Sequence, residues 1–250
     1  MSPRPERRGS RRRDRQVRWC VFGVLLALAS PLLAADLQVS PTLVSIAADR
    51  AADGLMLRNS GGRPLVAQVR VFAWHQDEGE DRLVDTDDLA VSPPMLEIAP
   101  GAEQLVRIVR LVDAPATVEG SYRVIVDELP GSAQQAPDQT GLNFVLRYSM
   151  PVFLAPVAPA APVLHARLVD APQERVLEIE NVGTARAQLA DLSHVGPDGA
   201  QAIAAGLSGY VLRGQQRRWP LPATARPGPS TDIQARINGE PDARSLLPDR

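Results

Sequence analysis

The chain has 250 residues, is 44% hydrophobic and carries a formal net charge of −2, so it is long enough to form one or two domains with apolar cores. Eight arginines and two acidic residues lie in the first 35 positions, and the rest of the chain therefore has a net charge of −8. This acidic balance excludes a basic surface for DNA or RNA. The only cysteine, Cys20, also lies in the first 35 residues, which excludes disulfides beyond them.

The N-terminal segment is typical of an export signal. Its arginines precede an apolar run from Trp19 to Leu33, and the small residues Ala34 and Ala35 follow as a cleavage site. A membrane anchor is the alternative, but a spanning helix needs about 20 apolar residues and Ser30-Pro31 interrupts this run. We therefore predict a signal peptide over residues 1–35, export, and no stable membrane insertion after cleavage.

Beyond residue 35, short β-type runs alternate with clusters of Gly, Pro, Asn and Asp at intervals of about ten residues, which predicts an all-β sandwich or barrel. No segment has a convincing helical period. Pro41 either confines the first run to a sheet edge or marks a switch between sheets. With the long strand described next, the number of runs is that of an immunoglobulin-like domain. The runs before residue 130 are Leu37–Val44, Gly54–Asn59, Leu65–Trp74, Leu89–Ile98, Gln104–Leu111 and Tyr122–Leu129.

The run from Gly141 to Leu154 predicts an unusually long strand. Leu142, Phe144 and Leu146 alternate on one of its faces. Fourteen extended residues would measure about 45 Å, whereas strands usually have about 5–6 residues. Such a strand either fills the core of its own domain or binds an extended partner by β-augmentation, since a long apolar edge invites pairing.

A Pro-rich segment, Ala155–Pro162, predicts a short hinge followed by a smaller β domain. We predict a signal peptide at 1–35 and domains at 36–156 and 157–250, with a loosely held tail from Gly239 to Arg250. The two halves show no convincing internal sequence repeat. The runs of the second domain are Val163–Leu168, Arg175–Asn181, Arg186–His194, Ser208–Leu212, Arg217–Leu221 and Thr231–Ile237.

A set of motifs resembles, in order, the PapD-like periplasmic chaperones of pilus (fimbrial) assembly. The pattern from Arg147 to Phe153 looks more like the archaic branch of that family, and Gly209–Gly214 with Trp219 resembles its second domain more faintly. The resemblance implies two immunoglobulin-like β-sandwich domains and a location in the periplasm. The motifs are Asn59–Pro64, Trp74, Ser92–Gly101, Gln104–Arg107, Tyr122–Val124, Glu128–Pro130 and Leu146–Phe153.

The resemblance also implies a function. Chaperones of this family bind a pilus or surface-appendage subunit that lacks its last strand, complete its sandwich by donor-strand complementation, and deliver it to an outer-membrane usher. Leu142, Phe144 and Leu146 would be the donor residues, each worth about 1.5–3 kcal/mol when fully buried. The alternative is that these three side chains fill the core of their own domain.

The subunit's C-terminal carboxylate is held in typical members by an Arg on the first strand and a Lys on the long strand. Here the first position matches Leu43, the second falls near Pro151 or Leu146, and the chain contains no lysine. Arginine suits a carboxylate through its bidentate fork, so the candidates are Arg123 and Arg147. The alternative for both is an exposed strand face.

Catalysis is not expected. The three histidines are scattered, no cysteine cluster or nucleophile elbow is present, and we predict neither a cofactor nor a metal. The acidic run Asp77–Asp81 reads as a solvated hairpin tip. The alternative function is an exported β-sandwich adhesin or ligand-binding protein that uses its loops. A structural pilin is a third possibility, but the residues after Ala35 lead directly into a strand rather than into a donor extension.

Overall fold

The computed structural model describes residues 36–129, 145–170, 175–196, 199–221 and 232–246. Their regular structure consists of seventeen β-strands and no helix, so the predicted all-β class is confirmed. Asp36–Arg250 forms one compact unit. No helix among the described residues is long and apolar enough to cross a membrane. The predicted signal peptide, 1–35, lies outside the described residues.

The first two sheets face each other across one core. One has the order β1-β3-β8-β6, and the other has the order β2-β10-β9-β4-β5 with β7 paired to β4. The strands pair antiparallel, except that β2 and β10 are parallel. Their bounds are β1 Leu37–Ser40, β2 Val44–Ile46, β3 Ala52–Asn59, β4 Leu65–Asp77, β5 Glu80–Asp85, β6 Leu89–Ser92, β7 Met95–Ile98, β8 Glu103–Arg110, β9 Gly120–Leu129 and β10 Arg147–Leu154.

Alternation along the strands builds this core. Leu55 and Leu57 of β3, like Val124 and Val126 of β9, are fully buried, because every second residue of a strand points to the same face. The run around Pro41 divides into β1 and β2, which lie in different sheets. Of the two roles predicted for Pro41, the switch between sheets is therefore the one observed.

The described strands beyond residue 163 form a second pair of sheets with a core of its own. One sheet has the order β11-β12-β15 and the other β14-β13-β16-β17. The two-domain fold is thus confirmed, and the boundary near residue 156 stays our proposal. The bounds are β11 Leu164–Asp170, β12 Arg175–Asn181, β13 Ala187–Gly196, β14 Gly199–Val211, β15 Gln215–Pro220, β16 Asp232–Ile237 and β17 Arg244–Ser245.

Two elements of the second domain differ from expectation. Strand β14 begins at Gly199, well before the predicted Ser208, because its Ala- and Gly-rich start lacks the β-branched residues that indicate strands. The prediction of a loosely held tail is wrong up to residue 246. Strand β17 pairs with β16, and Leu246 is buried in the core, with its N–H donating to Ile233 O at 2.8 Å.

A buried asparagine organises a turn in each domain, and this repeat is not visible as similarity between the two halves. Asn59 Nδ2 donates to Arg63 O at 2.7 Å and Ile98 O at 2.9 Å, and Oδ1 accepts from Gly61 N at 2.9 Å. Three of the four hydrogen bonds that an amide side chain can make are therefore formed. Asn181 makes the same kind of bonds in the second domain, to Gly183 N, Ala185 O and Val211 O.

Asn59→Ala is expected to lower the free energy of unfolding by about 2–3 kcal/mol, because it leaves buried backbone groups without partners. Urea unfolding monitored by circular dichroism would measure the loss. Gln38→Ala, an exposed substitution on β1, should change the free energy by less than about 0.5 kcal/mol. Equal effects of the two substitutions would contradict the structural role of the amide.

Candidate functional site

Strand β10 has an open edge. On one side it pairs with β9 along its whole length, from Arg147 to Leu154. On the other side it pairs with β2 only at Val152–Leu154. Along residues 147–151, no described strand pairs with this second side, so the backbone there can accept another strand.

The structure describes one of the three predicted donor residues. Leu142 and Phe144 lie outside the described residues. Leu146 is half-buried and packs against the core of its own domain. Residues 145–154 of the predicted long strand are described, and within them the strand begins at Arg147. The donor assignment of all three side chains stays a prediction.

An ion-pair triad holds the start of β10. The carboxylate of Asp127 on β9 accepts from Arg147 Nε and, at 2.6 Å, from Arg70 on β4. Burial by itself favours the protonated carboxyl, but the hydrogen bonds and charges of the two arginines hold the pKa of Asp127 below its ordinary 3.8. Arg147, which is 67% exposed, is therefore already bound to a carboxylate of its own sheet.

Asp127→Asn is expected to destabilise the protein near neutral pH and to lose this effect in acid. Since the folded-state pKa of Asp127 is depressed, its stabilisation is present above the unfolded pKa and is lost as the pH falls through the folded pKa. The urea midpoints of wild type and variant should therefore differ at about pH 7 and approach each other at about pH 3. Asp87→Asn, at an exposed site, is the control. A difference that stays constant over this range would contradict the ion-pair origin.

An aromatic cluster joins the two domains at the other end of β10. Trp74, Phe153 and Tyr210 are buried with ring centroids 5.5–6.1 Å apart, and Leu212 completes the cluster. Leu43, the position that matches the first-strand anchor of the family, packs against it. The place where typical members carry a basic anchor is thus apolar here and lies at the contact between domains.

Arg123 lies beside this cluster. Its guanidinium stacks on the Trp74 ring at 3.9 Å, and its side chain is only 17% exposed. One nitrogen donates to Ser149 Oγ at 3.1 Å, while the nearest carboxylate, Asp81, is 3.8 Å away. Burial, with a contribution from nearby Arg217, lowers the pKa of Arg123.

Positive side chains outnumber negative ones around Arg123. Arg217 of β15 is 3.5 Å from Asp81, so two arginines share one carboxylate at long range. Arg123 Nε and Trp74 Nε1 are both buried without a hydrogen-bond partner in the part of the chain that the structure describes. Cations from both domains therefore approach one carboxylate, and Arg123 keeps an unused donor; both features favour an additional carboxylate beside Arg123.

Hydrogen bonds connect the two domains near Arg123 and the aromatic cluster. The Gln76 amide donates to Tyr210 O at 2.8 Å and accepts from Leu212 N at 3.0 Å. Glu119, which is 5% exposed, accepts from both the backbone and the guanidinium of Arg186. Arg213 Nε donates to the Glu119 carbonyl at 2.9 Å.

The segment between β10 and β11 is also bonded on both sides. The short hinge predicted at Ala155–Pro162 stays a prediction. The bonds are Val157 N to Pro115 O at 2.8 Å, Ala158 N to Ala116 O at 3.0 Å and Thr184 N to Ala161 O at 3.0 Å.

The acidic run predicted as a solvated hairpin tip has a structural partner. It forms the turn between β4 and β5, and Asp81 reaches Arg217 of the second domain. Within the described ranges, no group of three or more His, Cys, Asp or Glu residues could hold a metal ion.

Comparison with known families decides the relationship. The family model for the pili and flagellar-assembly chaperone, PapD N-terminal domain, matches residues 36–160, half of the chain. The chain belongs to this chaperone family. The resemblance inferred from the motifs between Asn59 and Phe153 is thereby confirmed. The PapD family is defined by a chaperone fold and is not an enzyme family.

Solved structures share the two-domain fold of this PapD-family chain. One is a chain of the CsuC-CsuE chaperone-tip adhesion subunit pre-assembly complex from archaic chaperone-usher Csu pili of Acinetobacter baumannii, with 24% identity, a TM-score of 0.68, and coverage of 85% of this chain and 97% of that chain. The YadV chaperone has 16% identity, a TM-score of 0.62, and coverage of 84% and 98%. Comparison with curated proteins gave no match.

A third similar structure contains the Salmonella enterica SafA pilin in complex with the SafB chaperone. It has 20% identity and a TM-score of 0.60, and covers 88% of this chain and 98% of that chain. At these identities the similarity establishes the fold of the PapD-family chain. The sites are argued below from its own residues.

Proposed function

We propose that this chain is a periplasmic chaperone that binds pilus or surface-appendage subunits by donor-strand complementation and delivers them to an outer-membrane usher. The observation that carries the proposal is the open edge of β10, which is unpaired by any described strand over residues 147–151. An incomplete β-sandwich subunit would pair its own edge with this backbone. Leu142, Phe144 and Leu146 would fill its groove.

The similar structures support a subunit as the partner. The Csu structure holds a chaperone with a tip adhesion subunit, and the Saf structure holds a chaperone with a pilin. An unpaired strand edge is an aggregation hazard unless it is used for pairing. Donation of the edge to a subunit therefore accounts for its presence in an exported, soluble chaperone.

We assign the carboxylate of the subunit's C-terminus to Arg123. Arg123 lies at the contact between domains, next to Arg217, and keeps buried donor capacity. Arg147, the other candidate, begins β10 and is bound to Asp127. A carboxylate on Arg123 would satisfy the local excess of positive charge, whereas one on Arg147 would compete with an existing ion pair.

Co-expression with a β-rich pilus subunit, followed by pulldown from the periplasm, tests the function. The variant carrying Leu142→Asp, Phe144→Asp and Leu146→Asp should lose the stoichiometric subunit while its circular dichroism spectrum stays folded. The matched control carries Leu111→Asp, Val157→Asp and Leu207→Asp at positions exposed by 60–70%. It should capture the subunit as wild type does. Undiminished capture by the donor variant would refute strand donation and favour binding through loops.

A further inference from the structure

A side chain replaces one of the two backbone hydrogen bonds between Glu128 of β9 and Leu146, the residue before β10. Glu128 N donates to Leu146 O at 2.9 Å, as in an ordinary antiparallel pair. The reciprocal donor, Leu146 N, binds Glu128 Oε2 at 3.3 Å, and no bond from it to the Glu128 carbonyl is formed. The regular strand then starts one residue later, at Arg147. The chain entering β10 is thus held at Leu146 by a carboxylate rather than by a complete backbone rung.

The Glu128 carboxylate lies where burial is unfavourable for a charge. Glu128 is 9% exposed, and a buried charge is costly unless hydrogen bonds or an ion pair compensate it. Among the described residues, Glu128 makes no salt bridge, and the two arginines bound to Asp127 belong to the opposite face of β9, since successive side chains of a strand alternate. The Leu146 N–H is the hydrogen-bond donor that its side chain engages.

Two consecutive residues of β9 therefore form hydrogen bonds with Leu146 and Arg147, at the start of β10. Asp127 binds the Arg147 side chain on the outer face, and Glu128 binds the Leu146 backbone. A slip of one residue would send every side chain to the opposite face, and the buried side chains of Met150, Val152 and Leu154 oppose such a slip in the later part of β10. Residues 147–149 are exposed or half-buried, and the bonds of Asp127 to Arg147 and of Glu128 to Leu146 hold the pairing at the point where the strand begins.

We propose that Glu128 is a positioning residue for the donor strand. Its carboxylate sets the residue at which the strand joins β9, and it thereby decides which side chains before Leu146 face a bound subunit. This inference rests on the proposed function, since it assigns to Glu128 the register of the strand that is donated.

Three variants separate the role of Glu128 from mere stability. Glu128→Ala removes the acceptor, Glu128→Gln keeps an oxygen of nearly the same reach, and Glu97→Ala changes an exposed glutamate on β7 as a control. We expect Glu128→Ala to speed hydrogen exchange of the Leu146 amide at least about tenfold, since an amide without an acceptor is unprotected. Glu128→Gln should restore most of the protection.

Register is read by disulfide trapping. Residues 36–250 contain no cysteine, so a single Val145→Cys, at a position 52% exposed, can be crosslinked to a cysteine scanned along the subunit groove. In the Glu128→Ala background the crosslinking maximum should move or broaden, and subunit affinity should fall about tenfold. Glu128→Gln and Glu97→Ala should keep the wild-type maximum.

The outcomes are distinguishable. Failure of the wild-type chain to capture any subunit would refute the proposed function itself. Capture by wild type with an identical crosslinking maximum and affinity in Glu128→Ala would overturn the role of Glu128 and leave strand donation intact. If Glu128→Ala does not fold, Glu128→Asp, whose carboxylate is one methylene shorter, replaces it, and an unchanged maximum in that variant would likewise overturn the inference. Equal losses in Glu128→Gln and Glu128→Ala would also overturn it.

Discussion

Arg123→Ala is expected to weaken binding of a pilus subunit at least about 30-fold, which corresponds to about 2 kcal/mol for removal of one partner of a buried charge pair. Arg123 is largely buried against Trp74, and its surroundings offer one carboxylate, Asp81, shared with Arg217. A subunit carboxylate there would gain a desolvated cation with free donors. Isothermal titration calorimetry or surface plasmon resonance would measure the loss of affinity. The ligand would be a purified subunit whose groove is filled by a peptide that the chaperone can displace.

The controls for this prediction use the other candidate and the ligand itself. Arg147→Ala should change affinity less than about threefold, because Arg147 is exposed and bound to Asp127. Arg123→Lys should restore part of the affinity, since it keeps the charge and loses the fork. A subunit ending in a carboxamide should bind wild type and Arg123→Ala equally. A large loss with Arg147→Ala and none with Arg123→Ala would reverse the assignment.

Glu119→Ala is expected to lower the free energy of unfolding by about 3–5 kcal/mol, because it leaves the charge of Arg186 buried and unpaired. Arg186 has a side chain only 20% exposed and stacks over the Phe153 ring at 3.7 Å, so it cannot easily move to water. Glu119 also joins the domains through its backbone, to Thr184 O and Arg213 Nε. Urea unfolding should show the loss, and the transition should become broader as the domains separate in stability.

Replacing Glu119 by a neutral residue that still accepts hydrogen bonds should lower the free energy of unfolding less than Glu119→Ala does. Burial raises the pKa of Glu119 despite the opposing charge of Arg186, so its ionised form is disfavoured relative to an exposed carboxyl. Glu119→Gln, which can still accept hydrogen bonds, should therefore lose less than half as much as Glu119→Ala. Glu103→Ala breaks an exposed ion pair with Arg58 and should change the free energy by less than about 1 kcal/mol. A similarly small loss for Glu119→Ala would contradict its role in joining the domains.

Sequence patterns located most strands because alternation and turn residues are local signals. Leu65–Trp74 and Arg175–Asn181 were recognisable from β-type residues bounded by Gly, Pro and Asn, and the structure places β4 and β12 there. Strand β5 was missed because its charged residues are typical of a loop. The start of β14 was missed because Ala and Gly have little strand propensity.

The buried asparagines show a different limit. Asn59 and Asn181 each precede a glycine by two positions, and this spacing is the signal that could have revealed the repeat. An Asn-x-Gly triplet by itself is typical of many exposed turns. Its burial depends on carbonyl groups brought in from other strands, such as those of Ile98 and Val211.

The sequence by itself determined the all-β class, the chaperone family and the chemistry available to an anchor, since a chain without lysine must use arginine for a strong fixed cation. Tertiary structure decided how the two candidates differ. Arg123 and Arg147 lie on adjacent strands, yet one is buried beside Trp74 and near Arg217, and the other is exposed and bound to Asp127. This difference could not be deduced from strand patterns, because Arg217 lies almost a hundred positions from Arg123 in the sequence and reaches it only through the packing of the two domains.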